Sequence, residues 1–328
     1  MLDNLLAHYR KYQWHLLILT ALAASGCTVL GYFGYYWWLF ELASHFRVQY
    51  FFILLTCAVL FLGIGEFREA FLVGVFSLVN LFTIMPYNAE VHAVTRAPES
   101  DVQIVRALLL NVNTSNKEFS IVREFIAANK ADFIVLLEVN TTWLEQLQPV
   151  RKAYPFEKSM PSEEYGIALL SRIPFEEASI RMIGDLPSVI AKFNTQGRQF
   201  TLIGTHPRSP MGATRAKSRN RQLGELGRFI ATHEGPMVLM GDLNLTPWSP
   251  FFQNLLVETG LQDSRNGYGI QPTWPSTFPP LWIPIDHILL SSDVVVHNRQ
   301  VGPYIGSDHY PVVVEFSVTS SVPIPNSQ

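Results

Sequence analysis

The sequence predicts a helical membrane segment followed by an α/β domain in which two packed sheets are covered by helices. Apolar residues make up 48% of the 328 residues, and the mean hydropathy of +0.17 is high for a soluble chain. The apolar excess is concentrated between Trp14 and Tyr87. The remainder alternates short apolar strand patterns with amphipathic helix patterns and shows no internal repeat.

The membrane segment is predicted within residues 1–88. Three stretches, at about residues 16–40, 48–65 and 70–87, approach the length of about 20 residues that a helix needs to cross a bilayer. A removable signal peptide is the weaker interpretation, because two more apolar stretches follow the first. Buried helices of a soluble domain are also less favoured. We therefore expect a multi-pass inner-membrane protein whose partner is the lipid bilayer.

The orientation of this segment follows from its flanking charges. Arg10 and Lys11 precede the first stretch, which favours a cytoplasmic N-terminus. Three crossings would place everything after Tyr87 on the far side, which in a bacterium is the periplasm, and the prediction reverses if one stretch does not span. Both cysteines, Cys27 and Cys57, fall in predicted spans, so the sequence after them has no Cys for a disulfide or a metal site.

The rest of the chain has the composition of a linker, a mixed domain and a tail, at residues 89–101, 102–319 and 320–328. Strand patterns include "ALLLNV", "FIVLLEV" and "VLMGDLN". Helical patterns cover residues 116–130, 140–154, 213–233 and a stretch from about Ser249.

Polar side chains collect at the ends of the strand patterns. A strand buried on both faces carries a carboxylate in its middle only at high cost, so acids are expected where the strand meets solvent. Taken singly, each such residue is more often a turn residue or a helix cap than a catalyst. Several strand ends at one edge of a layered sheet nevertheless predict one pocket. The residues are Asn111, Asn113, Glu138, His206, Asp242, Asn244, Asp286, Asp308 and His309.

This set of side chains suits metal-assisted hydrolysis of a phosphoester. Hard oxygen ligands such as Glu138 and Asp308 favour Mg²⁺ or Mn²⁺. Such an ion stabilises charge on the phosphoryl oxygens and the leaving group. A histidine held in one tautomer by a carboxylate can direct a proton, and amide or His donors can neutralise the non-bridging oxygens.

The motifs "LLEV", "YGIALLSRIP", "GTH", "GDLN", "IDHILLS" and "GSDHYPV", in this order, resemble the endonuclease/exonuclease/phosphatase superfamily over about Val102 to Thr319. The resemblance implies a four-layer α/β sandwich, here preceded by three transmembrane helices. The N-terminal hydrophobic spans resemble a bacterial membrane-anchored subgroup of that superfamily, which implies fold and chemistry but no particular substrate.

The resemblance also implies a metal site formed by Asn111, Glu138 and Asp308, with Glu138 as the principal ligand. Asn113 stands where some nuclease members carry an acid. Because an amide there weakens the case for a second metal position, we expect one divalent ion.

Five further residues acquire catalytic roles from the resemblance. Asp242 would orient or deprotonate the attacking water, and Asn244 would bind the phosphate. His206 would donate to a phosphate oxygen. His309 would contact the scissile phosphate while paired with Asp286.

Two segments bear on the substrate. Basic residues after His206 suit an anion-binding rim for a nucleic-acid backbone or a lipid head group, or equally the solvated face of a helix. They are Arg208, Arg215, Lys217, Arg219, Arg221 and Arg228. The rings of Trp274, Phe278 and Trp282 suit base stacking, lipid contact or, most simply, cover of a core edge.

The predicted function is a membrane-anchored, Mg²⁺-dependent phosphoester hydrolase of the phosphodiesterase or nuclease type. The alternative is a lipid head-group phosphodiesterase or phosphatase, and a second alternative is a non-catalytic membrane receptor for a phosphorylated ligand. The net charge of −3 gives no general sign of nucleic-acid binding. The substrate, nucleic acid or lipid head group, and the oligomeric state stay open at this level.

Overall fold

A computed structural model of the chain describes residues 2–87 and 103–319, without the side chains of residues 2–11 and 87. The predicted linker and tail lie outside the described residues. The chain divides into two compact units. One comprises Met1–Pro86 with Thr246–Pro250, and the other comprises Tyr87–Leu245 with Phe251–Gln328.

The first unit is helical and contains α1 (Leu2–Leu30), α2 (Trp38–Ser44), α3 (Arg47–Gly63) and α4 (Phe67–Ile84), with 3₁₀ turns at Gly31–Phe33 and Met85–Tyr87. Its small apolar core includes Leu54, Phe61 and Val73. Many other large apolar side chains point outward, and Phe71 is 72% exposed. An apolar exterior of this kind is typical of helices that contact lipid.

The helical unit corrects the prediction of three separate membrane helices. Two segments, Tyr12–Phe33 and Phe67–Ile84, are long and apolar enough to cross a membrane. The helix in the second predicted stretch, α3, has 17 residues. It is bent by 68° from α2, and only the two together pass the same test. By length and composition the described residues therefore contain two such helices, or up to three spans if the bent pair counts as one.

The first helix also ends earlier than the sequence predicted, at Leu30 instead of about Phe40. Gly31 and Gly34 follow, and both lie against the backbone of α2. An added Cβ would come within 3.0 Å of the Cα of Ser44 at Gly31 and within 3.0 Å of the Cα of Glu41 at Gly34. The chain turns back on itself here because two glycines permit this close approach.

The rest of the chain contains, in order, β1 (Val105–Asn111), α5 (Phe119–Asn129), β2 (Phe133–Leu137), α6 (Thr141–Gln146), α7 (Gln148–Arg151), β3 (Phe156–Met160), β4 (Ile167–Ser171), β5 (Phe175–Ile183), β6 (Leu186–Thr195), β7 (Arg198–Thr205), α8 (Ala213–Ala231), β8 (Met237–Asp242), α9 (Pro250–Thr259), β9 (Gln262–Asp263), β10 (Asp286–Leu290), β11 (Val294–Val301) and β12 (Val312–Val318). The helix predicted over residues 140–154 is divided into α6 and α7. Pro149 lies at the start of α7, where its missing N–H ends one helix and is tolerated in the next.

The strands form two six-stranded mixed sheets, in the orders β11-β12-β1-β2-β4-β3 and β5-β6-β7-β8-β10-β9. Each sheet has one parallel pair at its centre, β1 with β2 and β7 with β8. The flanking strands β12 and β10 run antiparallel to β1 and β8. The carboxyl ends of the parallel strands and the amino ends of β10 and β12 therefore meet at one edge of each sheet.

The two sheets pack face to face around a core of aromatic rings. The ring centroids of Phe133 and Phe193 are 5.4 Å apart, and those of Phe193 and Phe200 are 5.1 Å apart. Burying one such side chain contributes about 1.5–3 kcal/mol. Two further cores lie on the outer faces of the sheets, one including Val122 of α5 and the other including Leu226 of α8. The predicted two-sheet α/β fold with helices outside is confirmed.

Candidate active site

Polar side chains converge at the shared edge of the two sheets. Asn111 and Asp242 end β1 and β8, while Glu138 and His206 directly follow β2 and β7. Asp286 begins β10, whose antiparallel pairing sets it directly opposite Asp242. Strand direction, and not only strand termination, brings these residues together.

Asp242 lies at the centre of this cluster. Its Oδ1 accepts the backbone N–H of Asn244 at 2.9 Å. Its Oδ2 accepts from Asn111 Nδ2 at 3.2 Å, and it lies 3.4 Å from His206 Nε2 and 3.6 Å from His309 Nε2. Burial raises the pKa of Asp242, but the nearby imidazoles outweigh burial and hold that pKa below its ordinary value. The carboxylate therefore stays ionised although it is buried.

His309 is held by a second carboxylate. Its Nδ1 lies 2.8 Å from Asp286 Oδ2. Because a carboxylate accepts, Nδ1 carries a proton and Nε2 is left to face Asp242. Burial lowers the pKa of His309, but Asp286 and Asp242 raise it, to about 10. The imidazole is thus a buried cation that can donate from Nε2.

His206 is the second imidazole beside Asp242. Its Nε2 also lies 3.9 Å from Glu138 Oε1. Burial lowers the pKa of His206, but the hydrogen bond with Asp242 and the charge of Glu138 raise it above its ordinary value. Asn244 Nδ2 lies 3.4 Å from the same Nε2 and donates to the carbonyl of Pro207 at 3.0 Å. The central carboxylate therefore lies between two imidazoles whose pKa values are both raised, and it also accepts from the side-chain amide of Asn111.

Glu138 is the carboxylate of this cluster that solvent reaches most easily. Its side chain is 24% exposed, and its Oε1 accepts from Asn111 Nδ2 at 2.9 Å. Two groups of three side chains offer possible metal-ligand atoms within 4.8 Å of one another: Glu138, His206 and Asp242, and Asp242, Asp286 and His309. Since carboxylate oxygens dominate the first group and Glu138 opens it to solvent, its donors fit a hard divalent cation.

Asp308 belongs to neither of these two groups. Its Oδ1 accepts from Asn113 Nδ2 at 2.6 Å, and its Oδ2 accepts from Trp274 Nε1 at 3.2 Å. Asn113, where some nuclease members carry an acid, is therefore the amide that orients Asp308. A cleft of about 350 Å³ opens beside both residues, and Lys117 and Tyr304 also line it.

Three site residues have left-handed backbones. The φ angles are 53° at Asn113, 55° at Glu138 and 53° at Asn244. Asn adopts this conformation readily, whereas for Glu it costs about 1–2 kcal/mol. The fold holds Glu138 in this conformation, as is common for residues at functional sites.

Gly241 sets the distance between the two central strands of the second sheet. A Cβ at this position would lie 2.1 Å from the carbonyl oxygen of Thr205. The close approach of β7 and β8 brings His206 to Asp242. The glycine of the "GDLN" motif is therefore required by packing.

Two hydroxyl residues support the site and were missed by the sequence analysis. Thr273 Oγ1 accepts the backbone N–H of Asp286 and of the residue before it, each at 3.1 Å. Ser307 Oγ donates to the carbonyl of Asn111 at 2.7 Å and accepts the N–H of His309 at 3.1 Å. The Ser two residues before His309 has the spacing of a local hydroxyl turn, and that spacing was the available signal. Thr273 offered no such signal.

The basic residues after His206 do not form one continuous rim. Arg208 lies over the ring of Tyr165, with 4.8 Å to its centroid. That ring is 5.6 Å from the imidazole of His206. Arg215 forms an ion pair with Glu164 at 2.6 Å. Two of the six basic residues thus lie around a tyrosine that contacts the site.

Arg219 departs from both sequence interpretations, the rim and the solvated helix face. It is fully buried, and its Nη1 donates to the carbonyl of Asn244 at 2.8 Å.

The three aromatic residues of the second segment have different surroundings. Trp274 donates to Asp308, and Phe278 is half exposed. The ring of Trp282 lies 6.0 Å from that of Tyr310.

The fold and the site together define a class of protein, the layered α/β hydrolases that act on phosphoester bonds. A model of the Endonuclease/Exonuclease/phosphatase family matches residues 108–309, which is more than half of the chain. The chain belongs to this family. Its members are hydrolases that act on phosphoester bonds, and they use divalent metal ions.

Solved structures share the fold. TDP2 of D. rerio, in complex with a single-strand DNA product, is 17% identical, with a TM-score of 0.57 over 65% of this chain and 99% of that one. The endonuclease/exonuclease/phosphatase of Bacteroides vulgatus is 18% identical, with a TM-score of 0.57 over 66% and 99%. Among curated proteins, Nocturnin of Drosophila melanogaster is 36% identical over 67 residues, 20% of this chain and only 10% of that relative. At these identities the structural matches show the fold alone.

Proposed function

We propose that this chain is a membrane-anchored phosphodiesterase that depends on Mg²⁺ or Mn²⁺ and directs water onto phosphorus. One observation carries the proposal. Asp242 Oδ2 lies 3.4 Å from His206 Nε2 and 3.6 Å from His309 Nε2. An ionised carboxylate beside two imidazoles with raised pKa values can orient water and take its proton, while the imidazoles donate to phosphoryl oxygens.

Each residue of the cluster then has a separate task. Asp242 orients the water and accepts its proton. His206 and His309 donate from Nε2 to the non-bridging oxygens, and Asn244 donates its side-chain amide to the phosphate. Asp286 holds Nδ1 of His309, so that Nε2 is the nitrogen that faces Asp242 and a phosphate bound beside it.

Glu138 and Asn111 would hold one divalent cation, and Asp308, which belongs to neither group of clustered ligand atoms, would lie at or near it. Glu138 is the most accessible carboxylate of the cluster, and Asn111 lies in contact with it. When bound, the cation would stabilise charge on the phosphoryl oxygens and the leaving group. The cleft beside Asp308, lined by Lys117 and Tyr304 among others, offers space for the group esterified to the phosphate.

We also propose that the helical unit places the enzyme in the inner membrane, with the catalytic unit in the periplasm, as in the bacterial membrane-anchored subgroup that the N-terminal spans resemble. Two helices long and apolar enough to cross a membrane support an anchor, and the periplasmic placement requires that the bent pair α2 and α3 forms a third span. Arg10 and Lys11 support a cytoplasmic N-terminus. An anchor favours a phosphodiester at or near the membrane surface, either nucleic acid or a lipid head group.

The test uses the full chain purified in detergent with bis(p-nitrophenyl) phosphate, in Mg²⁺ and in EDTA. We expect turnover that requires Mg²⁺, and we expect Glu138→Gln and His309→Ala to lower kcat about 100-fold or more. Glu234→Gln, an exposed acid in the turn before β8, is the matched control and should retain wild-type kcat.

A panel of single-stranded DNA, RNA and phospholipid vesicles then ranks the substrates. Faster turnover of phospholipid would favour the lipid head-group enzyme. If wild type and variants show no turnover on any of these phosphoesters, the enzymatic proposal fails and the receptor alternative takes its place.

A further inference from the structure

The backbone directly after Asp242 is held by two buried side chains from opposite elements. Arg219 of α8 donates to the carbonyl of Asn244 at 2.8 Å. His287 of β10 lies with Nε2 2.8 Å from the carbonyl of Leu245. A carbonyl only accepts, so the Nε2 of His287 carries the proton. These contacts fix two consecutive carbonyls in a segment that is not part of a strand.

A chain of buried polar groups fixes His287 in that tautomer. Its Nδ1 has no proton to give and lies 3.3 Å from Arg265 Nη2, which donates. Arg265 is paired with Asp263, whose Oδ1 also accepts its backbone N–H at 3.0 Å. Burial and the charge of Arg265 lower the pKa of His287 to about 3. The imidazole is therefore neutral and always presents Nε2–H to Leu245.

The held segment carries the catalytic geometry. Asn244 has a φ of 53°, and its N–H donates to Asp242 Oδ1. If the carbonyls of Asn244 and Leu245 were released, the left-handed residue would relax, and the orientation of the Asp242 carboxylate would change with it. A displacement of about 1 Å in a catalytic group can cost a factor of about 100 in rate.

Strand β10 contributes to the site on both of its faces. Asp286 and Ile288 point to the core between the sheets, where Asp286 orients His309. His287 and Leu289 point to the helical side, where the ring of His287 packs 4.5 Å from that of Phe252. Asp286 therefore supports the site from the core between the sheets, and the adjacent His287 supports it from the helical side.

We propose that His287, oriented by Arg265 and Asp263, is a positioning residue for the hydrolysis, because it holds the Leu245 carbonyl and thereby keeps Asp242 and Asn244 in their reactive arrangement. This inference rests on the proposed function. A buried histidine that only fills space is the competing explanation.

Two conservative variants separate these explanations. In His287→Gln the longer amide reaches the position of Nε2 and still donates to Leu245. In His287→Asn the amide stops at the position of Nδ1 and loses that contact. Both replace the ring by a similar polar group, so a loss of packing would affect them alike, and the melting temperature of each full-length variant in detergent measures it.

With bis(p-nitrophenyl) phosphate and Mg²⁺ we expect His287→Asn to lower kcat about 10- to 100-fold with unchanged KM. His287→Gln should remain near wild type. Equal kcat in the two variants, whether low or normal, would overturn the positioning role.

Hydrogen exchange of the full chain supplies a readout that does not depend on turnover. His287→Asn should raise exchange of the amides at 243–246 about 10-fold or more, and His287→Gln should not. If the wild type has no activity, the proposed function fails. Hydrogen exchange then tests separately whether His287 holds residues 243–246. Unchanged exchange in His287→Asn would reject the positioning role as well.

Discussion

Asp242 and Asp286 lie directly opposite each other in the antiparallel ladder of β8 and β10, and one imidazole bridges them. His309 Nδ1 is 2.8 Å from Asp286 and its Nε2 is 3.6 Å from Asp242. Two like charges at neighbouring positions would repel each other, but the cation between them offsets the repulsion. Asp286 therefore orients His309, and Asp242 is left for the attacking water of the proposed reaction.

Asp286→Asn should separate orientation from metal binding. The amide can turn its NH₂ toward Nδ1 and so favour the wrong tautomer of His309. We expect kcat to fall about 100-fold or more, with no change in the Mg²⁺ concentration that gives half-maximal activity. Asp185→Asn, on the surface beside Arg221, should match wild type in the same titration. A raised Mg²⁺ requirement in Asp286→Asn would place Asp286 at the metal instead.

Mg²⁺ should stabilise the folded protein through Glu138. An ion that binds only the native state adds about 2.7 kcal/mol at 100 times its Kd. We expect the melting temperature of wild type to rise with Mg²⁺ and to return in EDTA, and we expect Glu138→Gln to lose this shift. Differential scanning calorimetry in detergent measures both. An equal Mg²⁺ shift in the variant would exclude Glu138 as a principal ligand.

Gly241→Ala should destabilise the catalytic unit, because its Cβ would lie 2.1 Å from the carbonyl oxygen of Thr205. Overpacking against backbone costs about 3 kcal/mol. Gly224→Ala in α8 is the matched control. Its Cβ would meet only Arg228 at an ordinary 3.6 Å, so alanine should stabilise that helix by about 0.5–1 kcal/mol. Chemical denaturation measures the difference, and equal stability of the two variants would contradict this account of the "GDLN" glycine.

His287 should make the protein sensitive to acid. Burial and Arg265 lower its folded-state pKa to about 3, whereas an unfolded histidine titrates near pH 6.5. The unfolded state therefore binds one more proton between these values. The stability that the neutral ring provides is complete above about pH 6.5 and is lost as the pH falls toward 3, by up to about 1.4 kcal/mol per pH unit.

His287→Gln should lose this slope, because glutamine does not titrate. The free energy of unfolding of both proteins, measured between pH 6.5 and 5 where most carboxylates stay ionised, tests the expectation. Parallel curves would mean that the ring is not held neutral.

The number of membrane crossings decides which side the catalytic unit occupies. In a chain whose Cys27 and Cys57 are replaced by Ser, we expect Lys217→Cys to react with a membrane-impermeant maleimide in intact spheroplasts. Lys11→Cys should react only after permeabilisation, because the proposed periplasmic placement requires three crossings between the two positions. Labelling of neither before permeabilisation would show that the pair α2 and α3 does not span.

Much of the fold was predictable from local pattern. Strands and helices of the catalytic unit follow from their two-residue and 3.6-residue periods, which each segment carries by itself. The predicted helix bounds were wrong where a proline or a pair of glycines interrupts the helical pattern. Pro149 divides one predicted helix into two, and Gly31 with Gly34 ends another before its aromatic run.

The sequence predicted which polar residues lie together at the sheet edge, and it predicted less of how they are arranged. The sequence pattern selected Asn111, Glu138, His206 and Asp242 because a buried strand admits such residues only near its ends. It did not predict that Arg219 is buried beneath Asn244.

By itself the sequence determined where the apolar segment ends, which polar residues terminate strands, and that the available ligands suit a hard cation. Only the tertiary structure decided that β10 runs antiparallel to β8, that Asp242 therefore faces Asp286, and that α2 and α3 meet at a bend of 68°. The physical reason is the distance along the chain over which each interaction acts. Periodicity and composition act on neighbours along the chain, whereas strand pairing and helix bending depend on which distant surfaces bury each other, and a local pattern contains no information about the partner.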